Sequence, residues 1–373
     1  MAPAAVSTNK LTYFPALTGL RAVAAGLVLV HHFNPLTPER FGWRLHSLAA
    51  ETHIGVTVFF VLSGFLISYR YLGRPGALRT YFANRFARIY PLYFLLTTLT
   101  FGLLHYTEHQ PFSVSEYLLN ITFLRGLFAQ YVYTGIAQGW SLTVEEMFYV
   151  LAPLAFWLVR RSGHWLWGLP LGLSALGVGL VLLSRPHPWH GFFGSFDFLF
   201  QFTYLGRAVE FFTGVGLAYG LRRASRLRAP RGLTYAGLAG LLLSLAALSW
   251  LHGPAVGALG IFTPAGMGIN NVLLPLVGIG PLLWGLVGEE TAISRLLSSS
   301  PLQLLGKSSY AFYLIHMGVL QRLLREGLGN YGLTLLALYS LSILLYWAVE
   351  EPLNHWLRQK LRAVEAPASV FIV

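Results

Sequence analysis

Long apolar stretches recur along the whole chain, and their lengths limit the fold more than any other feature of the sequence. A helix needs about 20 mostly apolar residues to cross the hydrocarbon core of a bilayer. A backbone in lipid must also satisfy its own hydrogen bonds, so such stretches predict helices. The predicted spans cover residues 17–33, 54–72, 90–105, 142–159, 165–183, 203–220, 232–250, 271–287, 305–323 and 333–349.

The composition also favours a membrane protein. Only 11% of the residues are charged, 55% are hydrophobic, and the mean hydropathy is +0.58, whereas soluble domains carry about a quarter charged residues. We find no internal repeat and no fused soluble domain. The sequence therefore predicts one all-α domain over residues 1–373, with a core over residues 11–356, built as a polytopic bundle of about ten transmembrane helices.

Basic residues are concentrated in alternate connections between the predicted spans, and they produce a formal net charge of +12. The arginine-rich connections cover residues 70–88, 160–161, 221–231 and 358–362. The connections between them hold few basic residues, as expected when Lys and Arg accumulate in cytoplasmic loops. We therefore expect an integral protein of the cell (inner) membrane, with both termini cytoplasmic and with no nucleic-acid partner.

The chain contains no cysteine, which excludes disulfides, thiolate metal ligands and a cysteine nucleophile. No metal-ligand spacing such as His-Glu-x-x-His occurs either. We predict neither a metal site nor a bound cofactor.

Two ionisable residues lie inside the first apolar stretch. Ten residues, nearly all apolar, separate Arg21 from His32, which corresponds to a rise of about 16 Å along a helix. Arg21 would then lie near one membrane face and His32 well inside the bilayer, where ionisable side chains are costly and mark functional sites. The alternative is that Arg21 only anchors the helix at the interface and that His32 packs in the core.

Five segments in order carry a resemblance to a known family. They are LTGLRAVAAGLVLVHHF at 17–33, GVTVFFVLSGFLIS at 55–68, RFARIYPLY at 85–93, WSLTVEEMFYVLAP at 140–153, and LGKSSYAFYLIH at 305–316 with VEEPL at 349–353. Together they resemble the acyltransferase-3 family of integral membrane acyltransferases, and the resemblance covers nearly the whole chain.

The resemblance implies an enzyme that transfers acyl groups, often acetyl, to a hydroxyl or amino group of a carbohydrate or lipid-linked acceptor. The implied donor is acyl-CoA, with acetyl-CoA as the expected co-substrate. The family pattern of an arginine, ten residues and a histidine selects His32 rather than His31 as the general base. An imidazole, with an unperturbed pKa near 6.5, suits proton removal at neutral pH.

Arg85 and Arg88 are three residues apart and share a face if the segment is helical. Guanidinium groups bind phosphate oxygens in bidentate fashion, and coenzyme A carries several phosphates. The alternative is ordinary anchoring on the cytoplasmic side, which suits Arg79. The family context of Ile89, Tyr90 and Pro91 favours donor binding, and Arg21 is expected on the same side.

Glu145 and Glu146 open the fourth predicted span, with Ser141 as a possible helix cap. An acidic pair there could simply complement the helix dipole. In an aromatic and apolar setting, however, a carboxylate could orient the His32 imidazole, and the motif match favours Glu145 for that role.

Four further residues are weaker candidates. Arg207 and Glu210 are three apart and could neutralise each other. Tyr310 could bond a substrate or a neighbouring helix, and the family match makes Glu350 a structural or gating residue.

A second class of function is a transporter or proton-coupled permease, in which Arg21, His32 and Glu145 would form a relay. The sequence shows no pair of Gly/Pro-broken spans in two symmetric halves, which counts against it.

Overall fold

A computed structural model describes residues 13–73, 78–187, 189–224, 229–252 and 259–363, and these residues form a bundle of helices. Up to residue 223 the helices are α1 (Pro15–His32), α2 (Pro38–Ala50), α3 (Gly55–Tyr71), α4 (Leu78–Glu108), α5 (Val114–Ile121), α6 (Trp140–Arg161), α7 (Trp165–Ser184), α8 (Phe196–Phe202) and α9 (Tyr204–Arg223). Beyond it they are α10 (Leu233–Leu251), α11 (Pro264–Gly268), α12 (Gly280–Gly288), α13 (Ala292–Leu297), α14 (Ser300–Lys307), α15 (Ser309–Ile315), α16 (Val319–Leu328), α17 (Tyr331–Leu345) and α18 (Glu351–Ala363). Two π-helical stretches, Ile269–Ile279 and Tyr346–Glu350, join α11 to α12 and α17 to α18.

Helical stretches that can cross a bilayer dominate this bundle. In the described ranges, seven are long and apolar enough: Pro38–Tyr71, Leu78–Glu108, Ala137–Arg161, Trp165–Ser184, Leu233–Leu251, Pro264–Gly288 and Tyr331–Lys360. The predicted all-α membrane bundle is therefore confirmed. The first and sixth predicted spans also form helices, α1 and α9. Neither is among the seven, because their ionisable residues lower the mean hydropathy of each helix.

The ninth predicted span, residues 305–323, is not one helix. It is divided among α14, α15 and α16, with breaks at Ser308 and at residues 316–318. Gly318 has φ of 101°, a left-handed conformation that a glycine adopts without steric cost. The prediction of a continuous span was wrong here because an apolar stretch does not reveal a backbone break within it.

The predicted connection over residues 70–88 is also shorter than expected. Helix α4 begins at Leu78, so Arg79, Arg85 and Arg88 lie on its first turns and not in a loop. Arg85 and Arg88 consequently share one helix face, as their spacing required. Arg74, Arg226 and Arg228, which contributed to the predicted orientation, lie outside the described residues.

The most extensive helix–helix packing among the described residues joins α3 to α9. A Cβ atom on Gly64 would overlap the carbonyl oxygen of Phe211, and one on Gly214 would overlap that of Val61. The two helices therefore approach each other backbone to backbone, as small residues allow in membrane bundles. On the outer surface large apolar side chains are exposed, for example Leu171 at 64%, which suits contact with lipid tails.

Candidate active site

A cavity of about 110 Å³ lies between α1, α3, α4, α6 and α15. Its lining includes six residues that the sequence analysis selected: Arg21, Arg85, Arg88, Ser141, Glu145 and Tyr310. Most of its remaining wall is apolar and comes from α3, including Val56, Leu62 and Leu66. The cavity therefore combines a cluster of charges with a long apolar surface.

The three arginines of the cavity have different electrostatic surroundings. Arg88 forms an ion pair with Glu350, whose side chain is 1% exposed. Arg85 lies over the ring of Tyr149, with 5.7 Å from its guanidinium carbon to the ring centroid, and forms no ion pair with any described carboxylate. Arg21 is within electrostatic reach of Arg88 and Glu350. Of the three, only Arg88 is held in an ion pair with a described carboxylate, which leaves Arg85 and Arg21 available to a bound anion.

The carboxylate of Glu145 accepts hydrogen bonds from the hydroxyls of Ser63 and Tyr149. It lies in the cavity and makes no hydrogen bond to His32, so the prediction that it orients that imidazole is corrected. Glu145 was expected to open the helix, but α6 begins at Trp140 and has no acidic residue in its first turn. Which residue the Glu145 side chain faces depends on the packing of α6 against α3. Glu145 instead ties these two helices together beside the arginines.

The imidazole of His32 contacts a second histidine. His32 Nδ1 lies 3.0 Å from Nε2 of His316, and His316 Nδ1 lies 2.8 Å from the carbonyl oxygen of Tyr313. His316 is fully buried, whereas His32 is only partly buried. Tyr313 lines the cavity and precedes His316 by one helical turn. The histidine pair therefore lies just beyond one end of the cavity.

Polar contacts hold that end of the cavity together. The Ser141 hydroxyl lies 2.8 Å from the Tyr313 hydroxyl, and it donates to the Gln138 carbonyl oxygen at 3.2 Å. Helix α6 begins at Trp140 without a side-chain cap, so the prediction that Ser141 caps it was wrong. Tyr310 donates to the carbonyl oxygen of Ile89 at 2.8 Å, a bond between α15 and α4.

Arg207 and Glu210 do not line the cavity but form a buried pair in α9. The Arg207 Nη2 and the Glu210 Oε1 are 2.8 Å apart, and Arg207 also donates to Thr57 Oγ1 at 2.9 Å. The Arg207 guanidinium lies 4.8 Å from the ring centroid of Phe60. These contacts fit the alternative in which the two charges neutralise each other and join α9 to α3.

Sequence reasoning gave no role to several residues of the site. His316 was visible only as the last residue of the LGKSSYAFYLIH motif, and Ser63 only as a small residue in the second apolar stretch. An intramembrane histidine is a reasonable signal of function, but no periodicity reveals that His316 meets His32. In the part of the chain that the structure describes, no cluster of three or more His, Asp or Glu residues could hold a metal ion.

Comparison with known sequences identifies the family. The acyltransferase domain family matches residues 14–351, so the chain belongs to that family. It is an integral membrane acyltransferase. Family membership favours the enzyme over the transporter alternative.

Three similar proteins are described as acyltransferases or O-acetyltransferases. The chain is 26% identical to the acyltransferase MdmB of Streptomyces mycarofaciens over 96% of each chain. It is 26% identical to the putative peptidoglycan O-acetyltransferase YrhL of Bacillus subtilis (strain 168), over 84% of this chain and 49% of YrhL. The O-acetyltransferase OatA of Staphylococcus aureus is 25% identical, over 83% of this chain and 51% of OatA. The chain thus spans nearly all of MdmB but about half of YrhL and OatA, and no solved structure matches it significantly.

Proposed function

We propose that the protein transfers an acyl group, acetyl in the first instance, from acyl-CoA to a hydroxyl of a glycan, a lipid-linked sugar or a similar acceptor. His32 acts as the general base. The observation that carries the proposal is the cavity, which joins three arginines at one end to Tyr313, one turn from the His32–His316 pair, at the other. Family membership supports acyl transfer itself.

The cavity lining supports coenzyme A as the donor. Arg85 and Arg88 on one face of α4, with Arg21 nearby, offer guanidinium groups to the phosphates. The apolar wall from α3 accepts the pantetheine arm. Arg21 and His32 are separated by about 16 Å of helix rise, and the extended arm carries the thioester across that separation. Arg85 makes the main phosphate contact because Arg88 is already paired with Glu350.

The reaction then needs one proton transfer in each direction. His32 removes the proton from the acceptor hydroxyl as its oxygen attacks the thioester carbonyl carbon. The carbon–sulfur bond breaks, and the leaving thiolate takes the proton back from the imidazolium. The products are the acyl ester and free coenzyme A. General-base assistance of this kind typically contributes about 10²–10⁴-fold in rate.

The acceptor class rests on the relatives. YrhL is described as a putative peptidoglycan O-acetyltransferase and OatA as an O-acetyltransferase. A sugar hydroxyl at the outer side of the membrane matches the orientation that the basic loops predict. The bilayer itself and acyl-CoA are the other expected partners.

Thiol release from acetyl-CoA tests the proposal directly. The purified protein in lipid nanodiscs is given acetyl-CoA and soluble peptidoglycan fragments, and a thiol reagent measures coenzyme A. Since the chain has no cysteine, the protein contributes no background. Acceptor-dependent thiol release with an acetylated fragment in the mass spectrum supports the proposal.

Two other outcomes would count against parts of it. If the gene causes glycan acetylation in cells but the purified protein releases no coenzyme A from acetyl-CoA with those glycans as acceptors, acyl-CoA is refuted as the donor. If the peptidoglycan fragments are not acetylated, the cell-envelope glycans of cells with and without the gene are compared by mass spectrometry to find another acceptor. Identical spectra would refute the glycan acceptor.

We further propose that both termini face the cytoplasm of a cell (inner) membrane. A reporter fused at Gly73, between α3 and α4, should then read cytoplasmic, and one at Thr37, between α1 and α2, should read external. Pro254, another predicted external position, lies outside the described residues. A cytoplasmic signal at Thr37 would mean that the protein has the opposite orientation and that the donor enters from the other side of the membrane.

A further inference from the structure

The hydrogen bonds of the two histidines determine where their protons lie. His316 Nδ1 faces the carbonyl oxygen of Tyr313 at 2.8 Å, and a carbonyl oxygen can only accept. His316 Nδ1 must therefore carry a hydrogen. The ring is 0% exposed, and no described carboxylate forms an ion pair with it, so a buried charge there would be costly. In the neutral ring Nε2 is then an acceptor.

The proton position in His316 fixes that of its partner. His32 Nδ1 lies 3.0 Å from the accepting Nε2 of His316, so His32 Nδ1 donates. The other nitrogen of His32, Nε2, consequently keeps its lone pair. This is the tautomer that a general base needs, with the lone pair directed away from His316.

The backbone break before α16 makes this arrangement possible. Helix α15 ends at Ile315, so the carbonyl groups of its last turn lack the amides that would follow in a continuous helix. The Tyr313 carbonyl oxygen accepts instead from His316 Nδ1 and from Gln138 Nε2, the latter at 3.1 Å. Gln138 also donates to the Leu314 carbonyl oxygen at 2.9 Å. The irregular segment is thus held by side chains that also define the orientation of His316.

We propose that His316 is a positioning residue that holds His32 in the Nδ1-protonated tautomer and directs its Nε2 toward the acceptor hydroxyl. This inference rests on the proposed role of His32 as the base. When His32 takes up a proton, the bond from its Nδ1 to His316 becomes charge-assisted and stronger. His316 therefore stabilises the protonated imidazole as well as orienting the neutral one. No proton moves through His316.

Three replacements of His316 separate positioning from simple packing. His316→Gln can present an amide oxygen near the position of Nε2 and accept from His32. His316→Asn can reach the Tyr313 carbonyl but not His32, and His316→Phe fills the space without polar groups. We expect kcat to fall about 10- to 100-fold in the Asn and Phe variants, a share of the factor that a general base supplies. The Gln variant should recover much of the loss, and the KM for acetyl-CoA should stay within about twofold throughout.

His31→Gln is the matched control. The His31 ring centroid lies 4.8 Å from that of His32, but its Nδ1 contacts the carbonyl oxygen of Ala50 instead. Loss of this neighbouring imidazole should leave kcat nearly unchanged. Equal activity of the Gln, Asn and Phe variants of His316 would overturn the positioning role.

Nitrogen NMR of the unmodified protein gives a test that needs no turnover. In nanodiscs, ¹⁵N-labelled histidine should show His32 with a protonated Nδ1 and a bare Nε2, assigned by the loss of its signals in His32→Gln. In His316→Phe the same signals should report a mixture of tautomers. A protonated Nε2 on His32 in the unmodified protein would refute the inference. If His32→Ala is itself fully active, the proposed role of His32 as the general base fails instead, whatever the tautomer.

Discussion

Replacement of Arg85 by lysine tests the donor site most directly. Its guanidinium lines the cavity and forms no ion pair with a described carboxylate, so a bound phosphate would be its main polar partner. Lysine keeps the charge but loses the planar fork. The loss of one charge-assisted contact costs about 1.5–3 kcal/mol, which is roughly a 10- to 150-fold rise in the KM for acetyl-CoA. The value of kcat should change little, because the phosphates lie far from the reacting carbonyl.

Arg88 should respond differently because it already has a partner. In Arg88→Lys the ammonium can still face Glu350, so we expect a smaller change in the KM for the donor than in Arg85→Lys. Arg88→Ala would leave the carboxylate of Glu350, which is 1% exposed, without its cation. Loss of one partner of a buried pair costs about 3–5 kcal/mol, which a lower melting temperature should reveal.

Arg79→Lys is the control on the same helix. Arg79 is exposed and does not line the cavity, so its replacement should leave the KM for the donor unchanged. The assay is the initial rate of coenzyme A release at saturating acceptor over a range of acetyl-CoA concentrations. Equal and small effects at all three arginines would mean that these residues only orient the protein in the membrane.

Three more results are expected. His32→Ala should abolish transfer at normal expression while His31→Ala retains most of it, and similar rates for the two variants in the thiol-release assay would contradict the base assignment. Glu145→Gln should lower kcat no more than about tenfold, because the carboxylate does not contact the imidazole of His32. This is well below the contribution of a general base. A loss as large as that of His32→Ala would restore the orienting role of Glu145. Gly214→Ala should destabilise the protein by on the order of 1–3 kcal/mol or more through overpacking against α3, whereas Gly220→Ala on the same helix, which meets no atom within 4 Å, should not lower the melting temperature in a tryptophan-fluorescence scan.

The strongly apolar spans could be predicted closely from the sequence. The predicted span 165–183 corresponds to Trp165–Ser184, and 232–250 corresponds to Leu233–Leu251. Neither contains an Asp, Glu, His, Lys or Arg residue, so their apolar length alone defines them. Helix α4 was harder, because Arg79, Arg85 and Arg88 interrupt the apolar pattern although the helix continues through them. Hydropathy reports which part of a helix lies in lipid, not where the helix begins.

Several residues that line the cavity could be predicted from the sequence, but the contacts that their side chains make could not. Arg21, Arg85, Arg88 and Glu145 were each selected from motifs, and they line one cavity. The partner of Arg88 is Glu350, which is 262 positions away along the chain. Such pairs depend on which helices are neighbours in the bundle, and neither spacing nor hydropathy contains that information.

The break in the ninth predicted span shows why the contact between His32 and His316 could not be predicted from the sequence. A continuous helix through residues 305–323 would satisfy the apolar pattern, and the carbonyl of Tyr313 would then bond to a backbone amide. Because α15 ends at Ile315, that carbonyl is available to His316, and His316 in turn is available to His32. The departure from regular structure that made the span prediction fail is therefore the same one that creates the histidine pair. Exceptions to local rules are expected at functional sites, and here the cost of the break is offset by hydrogen bonds from Gln138.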